Sequence, residues 1–208
     1  MSQEEKKEQR TPGEFSTIKV SGSFDVNLTQ GETNHVELNG DAETIANVLT
    51  EVKNGVLTIK VVKGFKKYKT ISVNIQCKSP QEVSIFGSGD FHTTQFSADN
   101  FKLSTRGSGD SKLYITCSNL ELNSSGSGDC TIVGKANSLT LKSFGSGKVH
   151  AFDLKTTTIT LETKGSGDID INASEAITGE SFGSGDIEHK GTATIAVNNQ
   201  GSGSITKR

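Results

Sequence analysis

Gly87-Ser88-Gly89-Asp90 is the first of seven Gly-Ser-Gly copies in this 208-residue chain, and the spacing of those copies decides the fold. The others are Gly107-Ser108-Gly109, Gly126-Ser127-Gly128, Gly145-Ser146-Gly147, Gly165-Ser166-Gly167, Gly183-Ser184-Gly185 and Gly201-Ser202-Gly203. Successive first glycines lie 20, 19, 19, 20, 18 and 18 residues apart, and Asp follows in five copies, at Asp90, Asp110, Asp129, Asp168 and Asp186. A period this regular specifies a repeat architecture.

Working outward from the motif, the position four before each first glycine holds Val83, Leu103, Leu122, Leu141, Leu161, Gly179 and Val197. The position six before holds Gln81, Phe101, Leu120, Leu139, Ile159, Ile177 and Ile195. Apolar columns two residues apart mark one inward face of a strand. After the motif, Phe91, Ser111, Cys130, Val149, Ile169, Ile187 and Ile205 begin a second inward face, continued by Thr93, Leu113, Ile132, Ala151 and Ile171. Two period-2 strands per repeat leave little room for a crossover helix, which needs at least about 10 residues. Propeller blades and helical repeats need about twice this length. The remaining architecture is an all-β solenoid whose coils stack at about 4.8 Å, so that seven copies rise about 29 Å.

Three segments are expected. Residues 1–14 are charged and polar, close with Pro12-Gly13, and read as a disordered tail. Residues 15–79 alternate as strands with turns at Gly31-Glu32 and Asn54-Gly55, and read as an antiparallel β region packing on the solenoid. It includes one short helix over 42–49, capped by Asp41. Residues 80–208 form the solenoid.

The formal net charge of -2 gives no reason to expect nucleic acid or an anionic membrane as partner. No run of about 18 apolar residues is present to span a membrane, and MSQEEKKEQR lacks the apolar core of a signal peptide. Met1 is therefore either a native start or an initiator placed after signal removal. Cys77, Cys117 and Cys130 are odd in number and lack zinc-ligand spacing, so neither a disulfide framework nor a zinc site is expected.

Stacking lays each Gly-Ser-Gly over another at one corner, where glycine provides positive φ and close backbone approach. The Asp column puts like charges one rung apart, and something must offset their repulsion. An Asx-type turn, with each carboxylate accepting N–H groups of its own corner, is the expected answer. A calcium ladder along Asp90, Asp110, Asp129, Asp168 and Asp186 is the alternative; Lys148 and Ser204 interrupt it, and the spacing departs from calcium-binding nonapeptide repeats. No cofactor is expected.

Catalytic solenoids need paired carboxylates across a cleft, whereas Glu162, Asp170 and Glu188 read as single outward acids. His35, His92, His150 and His189 are dispersed, and His92 and His150 share a register three rungs apart, too far for one metal. Phe86, Phe144 and Phe182, each just before a glycine motif, point outward by parity and are candidate partner contacts, unless another domain or subunit covers them. Lys63, Lys66, Lys67 and Lys69, with Phe65 and Tyr68, form one basic loop that reads as solvated and alternatively as an anionic-ligand contact.

FSTIKVSGSFDVNLTQG at 15–31, HVELNGDAETIANVLTEVKNGVLTIKV at 35–61 and the recurrent GSGD together resemble the bacterial family of the putative auto-transporter adhesin head GIN domain, over about residues 15–205. The resemblance implies a right-handed parallel β-helix preceded by antiparallel strands, in an exported envelope protein, and brings no catalytic residues. The expected function is a non-enzymatic adhesin-like or scaffold module at the cell envelope or secreted, with an unidentified glycan or protein as surface ligand. The alternatives are a polysaccharide-binding or polysaccharide-cleaving β-helix and a self-assembling structural protein, because the short segment after Gly203 caps the last rung poorly and a homo-oligomer would cover it.

Overall fold

Alternation of inward apolar and outward polar residues makes strands of most of the described chain, and each strand inside the stack satisfies its backbone groups on the strands above and below. The computed structural model describes residues 5–65 and 69–208. In chain order the elements are β1 (Glu5–Arg10), β2 (Thr17–Ser21), β3 (Phe24–Gln30), β4 (His35–Asp41), α1 (Ala42–Ala46), β5 (Val48–Lys53), β6 (Val56–Val61), β7 (Ile71–Cys77), β8 (Glu82–Gly87) and β9 (Phe91–Thr93). The long strands follow: β10 (Phe96–Gly107), β11 (Ser111–Gly126), β12 (Cys130–Ser143), β13 (Val149–His150), β14 (Leu154–Thr163), β15 (Ile169–Ser181), β16 (Ile187–Lys190), β17 (Thr194–Asn199) and β18 (Ile205–Lys207). All 18 belong to one continuous sheet.

From β8 onward the pairing is parallel and, apart from one shift between Thr156 and Thr158 where β14 meets β15, in register, so the sequence columns become physical columns. Leu103 faces Leu122, Leu122 faces Leu141 and Leu141 faces Leu161. Phe101, Leu120, Leu139, Ile159 and Ile177 form a second buried stack beside them. This is the expected solenoid, with a core one side chain deep on each face.

Residues 15–79 differ from expectation. β2 pairs in parallel with both β6 and β8, and β3 pairs in parallel with both β7 and β9, so these strands are rungs of the solenoid rather than a region packed on it. The cause is an imperfect corner, Gly22-Ser23-Phe24-Asp25, lying directly beneath Gly87-Ser88-Gly89-Asp90: Asp90 donates its backbone N–H to Asp25 Oδ1 at 3.1 Å, and Ser23 Oγ meets Ser88 Oγ at 2.8 Å. Only β1, β4 and β5 are antiparallel; β4 runs against β7, β1 against β4, and β5 against β6. They close the N-terminal end of the stack.

The tail expectation also changes. Residues 5–10 are β1, paired along its length with β4, and Arg10 donates to Val48 O at 2.6 Å, Thr50 Oγ1 at 2.7 Å and Ile45 O at 3.1 Å. Backbone pairing and ion pairs such as Lys7–Glu37 at 2.8 Å order a segment too polar to be ordered by burial. The helix is shorter than its expected 42–49. Asp41 Oδ2 accepts Thr44 N–H at 2.9 Å as its cap, but Val48 and Leu49 leave the helix to pair with β6.

At the corners, close approach is the shared requirement and positive φ is not. Gly22, Gly87, Gly107 and Gly126 have φ between 138° and 149°, whereas the later first glycines and every second glycine of the motif lie outside the left-handed range. At each second glycine from Gly109 on, a Cβ would stand 2.0–2.1 Å from the carbonyl oxygen of the glycine one rung earlier. Gly128→Ala is therefore expected to cost about 3 kcal/mol or more, a melting-temperature loss of about 6 °C or more. Ser127→Ala at the exposed tip of the same corner is expected to change it by about 1 °C, and thermal unfolding of the two variants checks the contrast.

Candidate functional site

The corner carries three parallel ladders that the rung register holds one residue type above another. The outermost is serine: Ser88, Ser108, Ser127, Ser146, Ser166, Ser184 and Ser202 are all exposed. On its C-terminal side runs the acid ladder, lengthened by Asp25 at its start. Each carboxylate accepts, through Oδ1, the N–H of the residue above it: Asp110 to Asp90 at 2.9 Å, Asp129 to Asp110 at 2.8 Å, Lys148 to Asp129 at 2.8 Å, Asp186 to Asp168 at 3.1 Å and Ser204 to Asp186 at 2.7 Å. The expected bonds within a single corner are thus bonds between rungs.

Lys148 inserts into this ladder and reaches Asp168 Oδ2 at 2.8 Å. The hydrogen bond to Asp168 raises the Lys148 ammonium above its ordinary value, and the same bond, with the Asp186 N–H, lowers the Asp168 carboxyl. Asp186 is lowered by its bonds from Ser204. Carboxylates held this way have one oxygen turned to backbone, and no group of three or more acid, His or Cys side chains converges among the described residues. Calorimetric titration of the metal-free protein with calcium is expected to give neither heat nor a rise in melting temperature.

On the other side of the serines lies the column that contains the expected partner contacts. Phe86, Phe144 and Phe182 are each 39% exposed, and Val62 is the other exposed large apolar residue in the described chain. Cations occupy intervening rungs. Arg106 lies over Phe86 at 6.0 Å from the ring centroid, and Lys164 lies between Phe144 at 5.3 Å and Phe182 at 5.4 Å. The structure thus joins Phe144 and Phe182 into one Phe–Lys–Phe array and leaves Phe86 apart with its own cation. Of the basic loop, Lys66, Lys67 and Tyr68 lie outside the described residues; Lys69 Nζ stands 3.6 Å from Asp41 Oδ1.

The outward acids are engaged singly. Glu162 pairs with Lys164 at 2.5 Å, Asp170 with His150 Nδ1 at 2.9 Å, and Glu188 lies 4.0 Å from Arg208. His92 packs edge-on against Tyr114, its ring centroid 5.7 Å away. Among the described residues no hydroxyl or thiol donates to a histidine. Cys77, Cys117 and Cys130 are buried and free, and burial pushes Cys130 up to about 12 and Cys117 to about 11, far from a nucleophilic thiolate at neutral pH.

His189, grouped above with the dispersed histidines, is the one that continues the second inward column, two residues after Ile187. It stands in the second inward column, between Ile171 below and Lys207 above, 6% exposed, with Nδ1 lacking a hydrogen-bond partner. Burial, and then the Lys207 charge, lowers its pKa below the ordinary 6.5. The unfolded chain therefore takes up the proton first, so this contribution to stability is present above about pH 6.5 and is lost as the pH falls. Melting temperature is expected to drop between about pH 7 and pH 5 and to stay level there in His189→Leu. A further drop should follow below pH 3.8 in both proteins, where the depressed carboxyls of Asp168 and Asp186 protonate.

The family model described as putative auto-transporter adhesin, head GIN domain, matches residues 14–193. No curated protein matches the chain. Among solved structures, a putative adhesin from Bacteroides fragilis NCTC 9343 superposes with a TM-score of 0.92 at 26% identity, covering 100% of this chain and 98% of that one. A putative lipid binding protein from Parabacteroides distasonis ATCC 8503 gives 0.78 at 22% identity, covering 98% and 96%, and a putative adhesin from Parabacteroides merdae ATCC 43184 gives 0.69 at 21%, also covering 98% and 96%. The last two share the fold.

Proposed function

The chain belongs to the putative auto-transporter adhesin, head GIN domain family, and from that premise we propose that it is a non-enzymatic, adhesin-like binding module of the cell envelope whose contact surface is the aromatic–cation column. The observation that carries this reading is the exposed array Phe144–Lys164–Phe182. Phe144 and Phe182 are two rungs apart, about 10 Å, on a sheet that holds them at fixed spacing. Aromatics presented by a rigid surface lose little conformational entropy on contact, and they are the residue type that anchors interfaces.

A non-enzymatic role is supported by the chemistry of the outward acids and histidines, which are paired one to one on open strands rather than set across a cleft. The ligand of the column is a glycan or protein of a facing surface, approached with an aromatic plane and a cation between two rings. Beads coated with the whole chain are expected to adhere to bacterial or host cells, and Phe144→Ser with Phe182→Ser is expected to lower retention about tenfold with melting temperature within about 2 °C of the parent. Equal retention by parent and double variant would overturn the assignment.

A further inference from the structure

The lateral surface away from the corner carries an open groove of about 1060 Å³ bordered by β8, β10, β11 and β12. A second groove of about 550 Å³ continues it toward β15, sharing Thr116, Cys117 and Asn137 with the first. Both lie along the bend where each long strand turns from one face of the coil to the other. The depression exists because the stacked bend residues are short: Ala98, Cys117, Ala136, Thr156 and Ala173 sit in register where the neighbouring columns carry Leu, Ile and Phe. From the rung of Ala98 to the rung of Gly191 the groove runs about 24 Å along the solenoid axis.

Its walls are amides and hydroxyls already held in position. Asn119 Nδ2 donates to Asn100 Oδ1 at 2.8 Å, and Ser138 Oγ donates to Asn119 Oδ1 at 2.7 Å. That chain leaves each amide with unused donors and acceptors at the surface, the mixture that a sugar hydroxyl pairs with. Glu82, Asp99, Glu121 and Lys102 line the first groove and Lys135 and Lys155 the second, so the charges are acidic at one end and basic at the other and sum to zero over the whole length. Lys102 and Glu121 are also paired with each other at 3.1 Å. A uniformly charged polymer that spans both grooves is attracted at one end and repelled at the other, and gains no net attraction.

An extended peptide is disfavoured for a separate reason. β11 and β12 are hydrogen-bonded on both edges along the groove. At the first rung, where β8 pairs with β10 only from Lys102 on, the Gln30 side chain takes the Ser97 N–H at 3.1 Å and the Ser97 carbonyl at 3.2 Å, so a peptide backbone would have to displace Gln30 to add there. We propose that this axial groove is a second binding site, for a neutral polysaccharide chain lying along the solenoid. It is independent of the aromatic–cation column. A polymer laid in it meets similar chemistry every ~4.8 Å, so affinity rises with the number of rungs engaged. Phe101, the aromatic at the groove, is buried and unavailable for stacking, so recognition rests on hydrogen bonds and each rung contributes modestly.

The test is calorimetric titration of the full chain with neutral hexasaccharides (cello-, xylo-, manno- and chitohexaose) and their disaccharides, with polygalacturonate and polylysine as charged probes. At least one hexasaccharide is expected to bind more than tenfold tighter than its disaccharide. Asn119→Leu removes the central link of the amide chain, and Asn137→Trp fills the junction of the two grooves; both positions are exposed, and each variant should weaken binding at least tenfold. Phe144→Ser with Phe182→Ser should bind as the parent does, which separates this site from the adhesive column. Absence of binding to every neutral hexasaccharide, tighter binding of either charged polymer, or unchanged affinity in whichever groove variant melts like the parent would each overturn the proposal.

Discussion

The corner contact between one glycine and the carbonyl oxygen of the glycine beneath it is the constraint on which the rest depends. A Cβ at Gly109, Gly128 or Gly147 would meet that oxygen at 2.0 Å, well inside any sustainable distance. With hydrogen at that position, backbone can sit on backbone, and the coil closes tightly enough for strands on both faces to remain in register on either side of the corner, the one shift lying at the bend between Thr156 and Thr158. Register in turn places Leu over Leu and Ile over Ile, which is how a chain with 31% hydrophobic residues assembles a continuous core. The left-handed backbone that glycine also permits is used only at Gly22, Gly87, Gly107 and Gly126 among the first corner glycines. Close packing is thus the general reason for the motif.

Stacking like on like brings the carboxylates together, and the structure answers that by linking rungs. An Asp that accepts the N–H of the residue above it satisfies a corner donor that the strand ladders do not reach, and it ties two coils with a charge-assisted bond. Where Lys148 replaces Asp, the N–H of Asp168 loses that acceptor, and the contact is replaced by the ammonium–carboxylate pair between the same two rungs. The two devices are interchangeable in topology and opposite in charge, so a single substitution relieves repulsion at mid-ladder without opening the corner.

What was legible in the sequence was whatever the repeat states explicitly: the columns Leu103–Leu122–Leu141–Leu161, the corner glycines and the outward Phe residues. What was hidden was hidden for identifiable reasons. The Gly22-Ser23-Phe24-Asp25 corner is separated from its neighbour by 65 residues, because β4, α1 and β5 leave the stack and β6 and β7 return to its outer side. Phe24 also fills the place of the second glycine. The strand at 5–10 carries no apolar alternation, since its order comes from backbone pairing and from Arg10. His189 was legible but missed: it stands two residues after Ile187, the next position of the inward column Thr93, Leu113, Ile132, Ala151 and Ile171, and a histidine there hid the column's continuation. The groove depends on a column of short residues whose significance appears only once the bends are seen to stack.

The same rule that builds the rod governs what its surface can do. In a parallel stack every outward position becomes a column, so a run of Phe at the position before the glycine would become a continuous apolar strip, the kind of surface that recruits other copies indiscriminately. The chain instead separates its aromatics by rung and places Arg106 and Lys164 against them. Each ring keeps an exposed face while its neighbour is charged and solvated, which confines apolar contact to discrete points at fixed multiples of the rung spacing. If the column is the contact surface we propose, recognition there is a matter of matching spacing rather than area, and the corner glycines, by fixing that spacing, are what would connect the fold to a ligand.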